Sequence, residues 1–384
     1  MYDILTLNSI SDKIFTVFDE NYAVSKDCAA PDAILVRSFK MDDYEINDNL
    51  LAIGRAGAGV NNIPVARMTE SGICVFNTPG ANANAVKELV ICGMLLASRD
   101  IIGGNAWANG LEGDDVAKQV EKGKSAFGGI EIEGKTLGII GLGAIGVKVA
   151  CAAKALGMNI VGYDPYLSEA NKARLPEGTA IAASPEEIYP VADFITLHVP
   201  LLDSTREMIN ATSISAMKAG VVILNMARGE LANIADVKEG IAAGKIRNYV
   251  VDFPNAECLN AKGIIVIPHL GASTVEAEDN CAVMAASEIK DYLENGNVVN
   301  SVNFPALKCE RTGNERLTVV YKAGAGVPEA VEKILAGKKY VLNKAERGSL
   351  GYAIVDIDDV CNGGEDCVLN AMSELDDVIS VRVL

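Results

Sequence analysis

An apolar strand, a glycine loop and an amphipathic helix follow one another between Lys135 and Leu156, and this arrangement constrains the fold more than any other feature. Leu137-Gly138-Ile139-Ile140 reads as a strand, Gly141-Leu142-Gly143-Ala144-Ile145-Gly146 follows at once, and Ile145, Val149 and Leu156 recur at helical spacing. Gly141 permits the tight turn, Gly143 lets the backbone approach a pyrophosphate, and Gly146 lets helix and strand pack closely. The first amides of the helix, from Ala144 and Ile145 on, then face the phosphates. Asp164 ends the next strand, about 20 residues on, where such a unit carries its acidic residue. A carboxylate there binds a ribose 2′-hydroxyl and repels a 2′-phosphate, which favours NAD over NADP.

Strand-like runs continue at Ile160–Tyr163, Phe194–Leu197, Val221–Leu224, Tyr249–Val251 and Ile264–Ile267, separated by helical stretches. This alternation implies a doubly wound parallel sheet of about six strands. An earlier α/β series precedes it, with strands at Ile4–Leu7, Ala33–Val36, Leu51–Ile53 and Ile73–Phe76. Residues 82–99 read as one long helix, and a polar loop is expected from Gly103 to about Gly129, with Trp107 inside it. A further helix over 275–293 should return to the first domain, which is otherwise under-covered. The fold class is therefore α/β: a discontinuous flavodoxin-like substrate domain (1–97 and 275–303) and a Rossmann-type domain (98–274).

From Arg316 the pattern changes. The order of apolar runs is βαββαβ, a ferredoxin-like unit over 316–384, behind a linker at 304–315. At its end Ile379, Val381 and Val383 should face inward, with Ser380 and Arg382 outward.

A hydrophobic fraction of 49% and a charged fraction of 22% describe a well-cored globular chain. A net charge of −17 opposes nucleic acid and anionic membrane partners, and no run approaches the roughly 20 apolar residues of a bilayer span. An anionic substrate must therefore be gripped by locally gathered arginines. The nine cysteines form no CxxC, and no histidine stands near Cys361 and Cys367, so no metal site is expected. Cys92, Cys151 and Cys281 sit among apolar residues, and the cysteines as a set read as reduced, mostly buried thiols. With no signal-like N-terminus, the compartment expected is the cytoplasm.

His269 is one of two histidines and stands just past an apolar strand, in Pro268-His269-Leu270-Gly271-Ala272-Ser273-Thr274. A histidine on a strand end beside a nicotinamide is a natural proton carrier. Arg228 follows another strand, and a guanidinium can grip a carboxylate bidentately. Glu257, beyond the strand that ends at Asp252, could orient a histidine. His198, at the end of Thr196-Leu197-His198, reads as structural or cofactor-adjacent. The loop Gly54-Arg55-Ala56-Gly57-Ala58-Gly59 reads as an anion-binding turn, because Pro64 forbids a helix running straight from it.

Taken together these stretches resemble the D-isomer-specific 2-hydroxyacid dehydrogenases, in order and over about 300 residues. The resemblance implies NAD as cofactor, held by Gly141 to Gly146, Asp164, His198, Pro200, Met226, Ala227, Asp252, Gly271 and Ala272. It implies His269 as acid/base, Glu257 as its partner and Arg228 on the substrate carboxylate. Val36-Arg37-Ser38, the Arg55 loop and Asn82 match a branch acting on a phosphorylated acid. Arg37, Ser38, Arg55, Ala58, Gly59 and Asn82 would then bind 3-phosphoglycerate, and Lys124 could add to them across a subunit boundary. Other 2-hydroxy acids such as glyoxylate or hydroxypyruvate, or an NAD-sensing binding role, are the alternatives. Two departures stand out: Cys258 replaces the usual proline after Glu257, and Phe253-Pro254 is shifted by one from the usual Val-Phe-Pro order. The C-terminal unit resembles an ACT domain, which makes L-serine a candidate effector. Its first turn, Lys322 to Pro328, lacks the usual asparagine, which sets an assembly or degenerate regulatory role beside true serine sensing. The family further implies a homodimer or homotetramer, with the 82–99 helix and the Trp107 segment as interface.

Overall fold

The computed structural model describes residues 1–358, 360 and 367–384; Cys361 lies outside them. The chain forms two compact units, residues 1–81 with 278–384, and residues 82–277.

In the first unit, β1 (Tyr2–Leu7), β2 (Tyr22–Ser25), β3 (Ala33–Val36), β4 (Ala52–Arg55) and β5 (Cys74–Asn77) form a parallel sheet of order β2-β1-β3-β4-β5, with α1 (Val65–Glu70) before the last strand. This is the flavodoxin-like order. Helix α1 begins only after Pro64. β3 is buried along its whole length, so its sequence is continuously apolar rather than alternating. The edge strand β2 was not foreseen: at four residues, Tyr-Ala-Val-Ser, it carries little apolar signal.

The second unit opens with α2 (Ala83–Ser98), α3 (Ile101–Asn109) and α4 (Val116–Gly123). The polar loop expected at 103–129 is thus mostly helical, and a short 3-10 turn at Lys124–Phe127 follows. Asp100 starts α3 by accepting from the Gly103 amide, and Trp107 packs on Phe127 at 5.2 Å. Neither α3 nor α4 buries a residue, so no apolar periodicity announced them.

The core of this unit runs β6 (Thr136–Ile140), α5 (Ala144–Ala155), β7 (Asn159–Tyr163), α6 (Glu169–Lys172), β8 (Ala180–Ile181), α7 (Pro185–Ile188), β9 (Phe194–Leu197), α8 (Ala211–Ala216), β10 (Val221–Asn225), α9 (Ile234–Ala242), β11 (Ile246–Val251) and β12 (Ile264–Val266). The sheet has seven strands, all parallel, in the order β12-β11-β10-β9-β6-β7-β8. Alternate side chains feed two cores: Ile223 and Val251 one, Val222, Leu224 and Val250 the other. α2 packs with this second core through Val86, Val90 and Met94, so the division of the chain falls before α2 rather than at the expected 97/98.

α10 (Val275–Asn295) carries the chain into the first unit from Glu278 onward. Its Ala285, Ile289 and Leu293 cover one face of the five-stranded sheet. Then β13 (Glu315–Lys322), α11 (Val327–Ile334), β14 (Tyr340–Arg347), β15 (Leu350–Ile357), α12 (Val368–Ser373) and β16 (Val378–Val383) give the βαββαβ order, an antiparallel sheet β14-β15-β13-β16. One face of that sheet holds α11 and α12. The other is not solvated: Val320, Tyr352 and Ile354 pack with Tyr292 and Phe304. Arg382 consequently points inward, its guanidinium 4.4 Å from the Tyr292 ring centroid, whereas Val383 is exposed. Arg316 and Asp356 form a bidentate pair at 2.6 and 2.9 Å, both about 1% exposed. Losing one partner of such a pair typically costs about 3–5 kcal/mol.

Two cysteine expectations fail. Cys367 is disulfide-bonded, and Cys92 and Cys151 are exposed. Cys151 shares the solvent face of α5 with Lys148 and Lys154, three residues to either side, so helical phase outweighs its apolar neighbours.

Candidate active site

In an open parallel sheet, ligands bind beyond the carboxyl ends of the strands, where the strand order reverses. Here β6 is followed outward by β7 and β8 on one side and by β9 to β12 on the other. The residues singled out in this unit stand largely along that edge: Gly141–Gly146 after β6, Asp164 after β7, His198 and Pro200 after β9, Met226 to Arg228 after β10, Asp252 and Glu257 after β11, and His269, Gly271 and Ala272 after β12. Asn82 lies elsewhere in the unit, as the N-cap of α2 with no side-chain cap bond.

The glycine loop has the geometry a phosphate needs. Gly141 has φ +99°, and a Cβ on it would lie 2.4 Å from the His198 carbonyl oxygen. A Cβ at Gly146 would lie 2.0 Å from the Gly141 carbonyl oxygen. At Gly143 a Cβ would meet no protein atom within 4 Å, so the protein does not fill that space. Gly143 also N-caps α5 without a side-chain bond, leaving the first-turn amides, including Ala144 and Ile145, to a ligand. Asp164 accepts from the Leu142 amide at 2.9 Å and the Tyr166 amide at 2.8 Å. Each oxygen keeps a lone pair for a ribose hydroxyl. These features fit a dinucleotide, and NAD in particular.

His198 is partly exposed as a residue, but its Nδ1 is sealed from solvent without a hydrogen-bond partner. Its Nε2 lies 3.0 Å from Thr196 Oγ1. Burial drives this imidazole down to about 3, so it stays neutral and is unsuited to carrying a proton near pH 7.

The candidate reactive groups lie farther along the same edge. Arg228 is exposed, and its backbone carbonyl accepts from Asn225 Nδ2 at 2.8 Å. Asn225 is fully buried, also donates to Tyr249 Oη at 2.9 Å, and accepts from the Ala227 amide at 3.2 Å. It therefore shapes the turn that presents Arg228. An amide closing the apolar run Val221–Leu224 was the sequence signal for this residue. Asp252 is 1% exposed; its carboxylate accepts from the Leu270 and Gly271 amides at 2.7 and 2.9 Å, and burial holds its pKa above the usual carboxylate value. His269 follows in a left-handed conformation, φ +54°, with its imidazole against the Phe253 ring at 4.2 Å between centroids. The Arg228 guanidinium lies 5.1 Å from the centroid of the same ring. Glu257 is exposed on a 3-10 turn, Ala256–Cys258, capped by Asn255. Among the described residues no hydrogen bond or ion pair joins Glu257 to His269. Cys258 is buried beside Asn255 Oδ1 at 3.3 Å.

The other unit holds the anion loop. Arg55 Nε donates to the Arg37 carbonyl at 3.1 Å, and Arg37 pairs with Glu278 at 2.8 Å. The Ser38 amide donates to Asn8 Oδ1 at 3.0 Å. Asn77 Nδ2 donates to the Ala58 carbonyl at 2.6 Å, while Gly59 is half-buried beside it. The arginines, the exposed Ala58 and Ser38 are thus gathered at the carboxyl ends of β3 and β4. Lys124, in the second unit, pairs with Glu121 at 2.6 Å.

A doubly wound sheet with an open glycine loop and an acid after its second strand defines a dinucleotide-binding protein. Residues 93–271 match the family described as D-isomer specific 2-hydroxyacid dehydrogenase, NAD binding domain. A D-3-phosphoglycerate dehydrogenase of Methanocaldococcus jannaschii is 40% identical over 291 residues, 73% of this chain and 53% of that protein, so the chain spans about half the length of this relative. One from Haemophilus influenzae is 32% identical over 361 residues, 88% of this chain and 82% of that protein. The NAD+-bound 3-phosphoglycerate dehydrogenase structure from Entamoeba histolytica superimposes with a TM-score of 0.61 at 26% identity, covering 80% of this chain and 99% of that one. The chain belongs to the D-isomer-specific 2-hydroxyacid dehydrogenase family, a family of NAD-dependent oxidoreductases.

Proposed function

We propose that this protein interconverts 3-phospho-D-glycerate and 3-phosphohydroxypyruvate with NAD, a reaction that feeds serine synthesis. The observation that carries this reading is the placement of Arg228 and His269 on one aromatic ring at the ligand-binding edge of the NAD unit. NAD, when bound, accepts the hydride from C2 or returns it. His269 takes the proton of the C2 hydroxyl in oxidation and gives it back to the ketone in reduction. Arg228 grips the carboxylate and polarises the C2 oxygen. Glu257 carries no ion pair among the described residues, and it would accept the second imidazole N–H to stabilise the imidazolium. Arg37 and Arg55 supply the charge for the phosphate, with Ser38, Ala58, Gly59 and Asn82 completing the grip.

The names of the relatives support the phosphorylated substrate, and the two arginines at adjacent strand ends supply its physical basis. The C-terminal unit, with one sheet face packed on Tyr292 and Phe304, suits assembly more than L-serine sensing. Exposed Ile101 and Ile102 on α3 favour a homodimer or homotetramer. The deciding experiment is NADH oxidation with 3-phosphohydroxypyruvate, hydroxypyruvate and 2-oxoglutarate, with and without L-serine. A clear preference for the phosphorylated ketone is expected. Equal use of hydroxypyruvate would transfer the assignment to an unphosphorylated acid, and an L-serine effect would make the C-terminal unit a sensor.

A further inference from the structure

Phe253 separates Asp252 from the acidic turn and departs from the residue order usual in the family. Its ring lies 4.2 Å from the His269 imidazole at an interplanar angle of 44°, and 5.1 Å from the Arg228 guanidinium. Its backbone is anchored as well: a Cβ on Gly229 would fall 2.7 Å from the Phe253 carbonyl oxygen, so the two turns are in close contact. Both neighbouring side chains are otherwise lightly held. Arg228 and His269 are exposed, and among the described residues no hydrogen bond or ion pair reaches the imidazole. Among the described residues, Arg228 Nη1 bonds just its neighbour's carbonyl, Ala227 O, at 2.6 Å.

An aromatic face attracts cations within about 6 Å of its centroid. A guanidinium and an imidazole that becomes cationic in one half-reaction are both of that kind. We propose that Phe253 is a positioning residue: its ring sets the spacing between the proton-transfer group, His269, and the carboxylate-gripping group, Arg228. This rests on the dehydrogenase reading above. Phe253 touches neither substrate nor hydride; it acts through the two side chains that do. A β-branched or aliphatic residue here would leave both free to rotate, and misplacement of reacting groups by about 1 Å costs on the order of 100-fold in rate.

Histidine-labelled protein makes the test direct, because the chain has only two histidines and His198 serves as internal reference. In the wild type the His269 ring protons should be displaced by the ring current of Phe253. In Phe253→Leu they should return toward free imidazole while those of His198 stay in place. The same variant should lose about 10–100-fold in kcat/KM, mostly in kcat, and Phe253→Tyr should restore both readouts. His269 protons that do not move in Phe253→Leu, or wild-type turnover in that variant, would overturn the proposal. A wild-type protein that reduces no 2-keto acid would sink the functional reading instead; the proton shifts would still decide whether the ring holds His269.

Discussion

Asp252 holds His269 in a left-handed backbone conformation. The His269 amide donates to the Asp252 carbonyl at 3.0 Å, and the Asp252 carboxylate takes the next two amides, Leu270 at 2.7 Å and Gly271 at 2.9 Å. A non-glycine residue with φ near +54° carries backbone strain, of order 1–3 kcal/mol, that its surroundings must offset. The carboxylate that the family resemblance implies for the cofactor is therefore also the brace of the proposed acid/base.

Replacing that brace should disturb both stability and chemistry. Asp252→Ala orphans two amides, each worth about 1–3 kcal/mol when buried and unpaired. Urea unfolding should show a loss of about 2–6 kcal/mol for the two amides together, and turnover should fall further than stability explains. Asp252→Asn, which keeps one acceptor, should sit between. Full activity in Asp252→Ala would show that the His269 turn needs no such brace.

The glycine loop gives a paired prediction. Gly146→Ala brings a methyl against the Gly141 carbonyl and should destabilise the protein by about 1–3 kcal/mol. Gly143→Ala meets no protein atom and has φ −71°, so thermal unfolding should be unchanged. NAD affinity measured by calorimetry should nonetheless fall at least about tenfold, or 1.4 kcal/mol. Unchanged NAD affinity in Gly143→Ala would place the phosphates elsewhere.

Asp164→Asn keeps an acceptor for one of the Leu142 and Tyr166 amides, which bond different carboxylate oxygens, and removes the charge facing a 2′-phosphate. The ratio of NAD to NADP affinity should drop by about 10–100-fold, the range of a hydrogen bond to a charged group. A ratio equal to wild type would remove Asp164 from cofactor choice.

Glu288 supplies a pH prediction. Its Oε2 is buried without a partner, and burial pushes its pKa up from 4.5 to about 7. The folded state therefore binds a proton that the unfolded chain releases between those values, so this contribution is complete below pH 4.5 and is lost as pH rises through 7. The shift corresponds to about 3 kcal/mol. Glu288→Gln should match wild type near pH 4 and exceed it in unfolding free energy at pH 8. Parallel stability curves for the two proteins would contradict this.

Much of this arrangement was legible because parallel strands buried on both faces write themselves as unbroken apolar runs, and the candidate site residues stand where those runs stop. Arg228, Asp252 and His269 each stand at such a point. What was not legible depends on loop paths. Phe253 meets His269 across 16 residues, a contact that no spacing announces. Glu257 sits at the family's spacing, yet spacing cannot say where its carboxylate points. The helices after Arg99 were missed because they bury nothing, and Arg382 was assigned to solvent because only the packing of Tyr292 shows that both sheet faces are covered.

In the proposed reaction His269 moves the proton. The direct measurement compares NADH-dependent reduction of 3-phosphohydroxypyruvate by wild type and His269→Ala, with NADH binding followed in parallel by fluorescence. Turnover is expected to fall by about 100–10,000-fold, the usual contribution of a general acid/base, while NADH affinity stays within a few-fold of wild type. Near-wild-type turnover in His269→Ala would contradict this role and move the proton to another group.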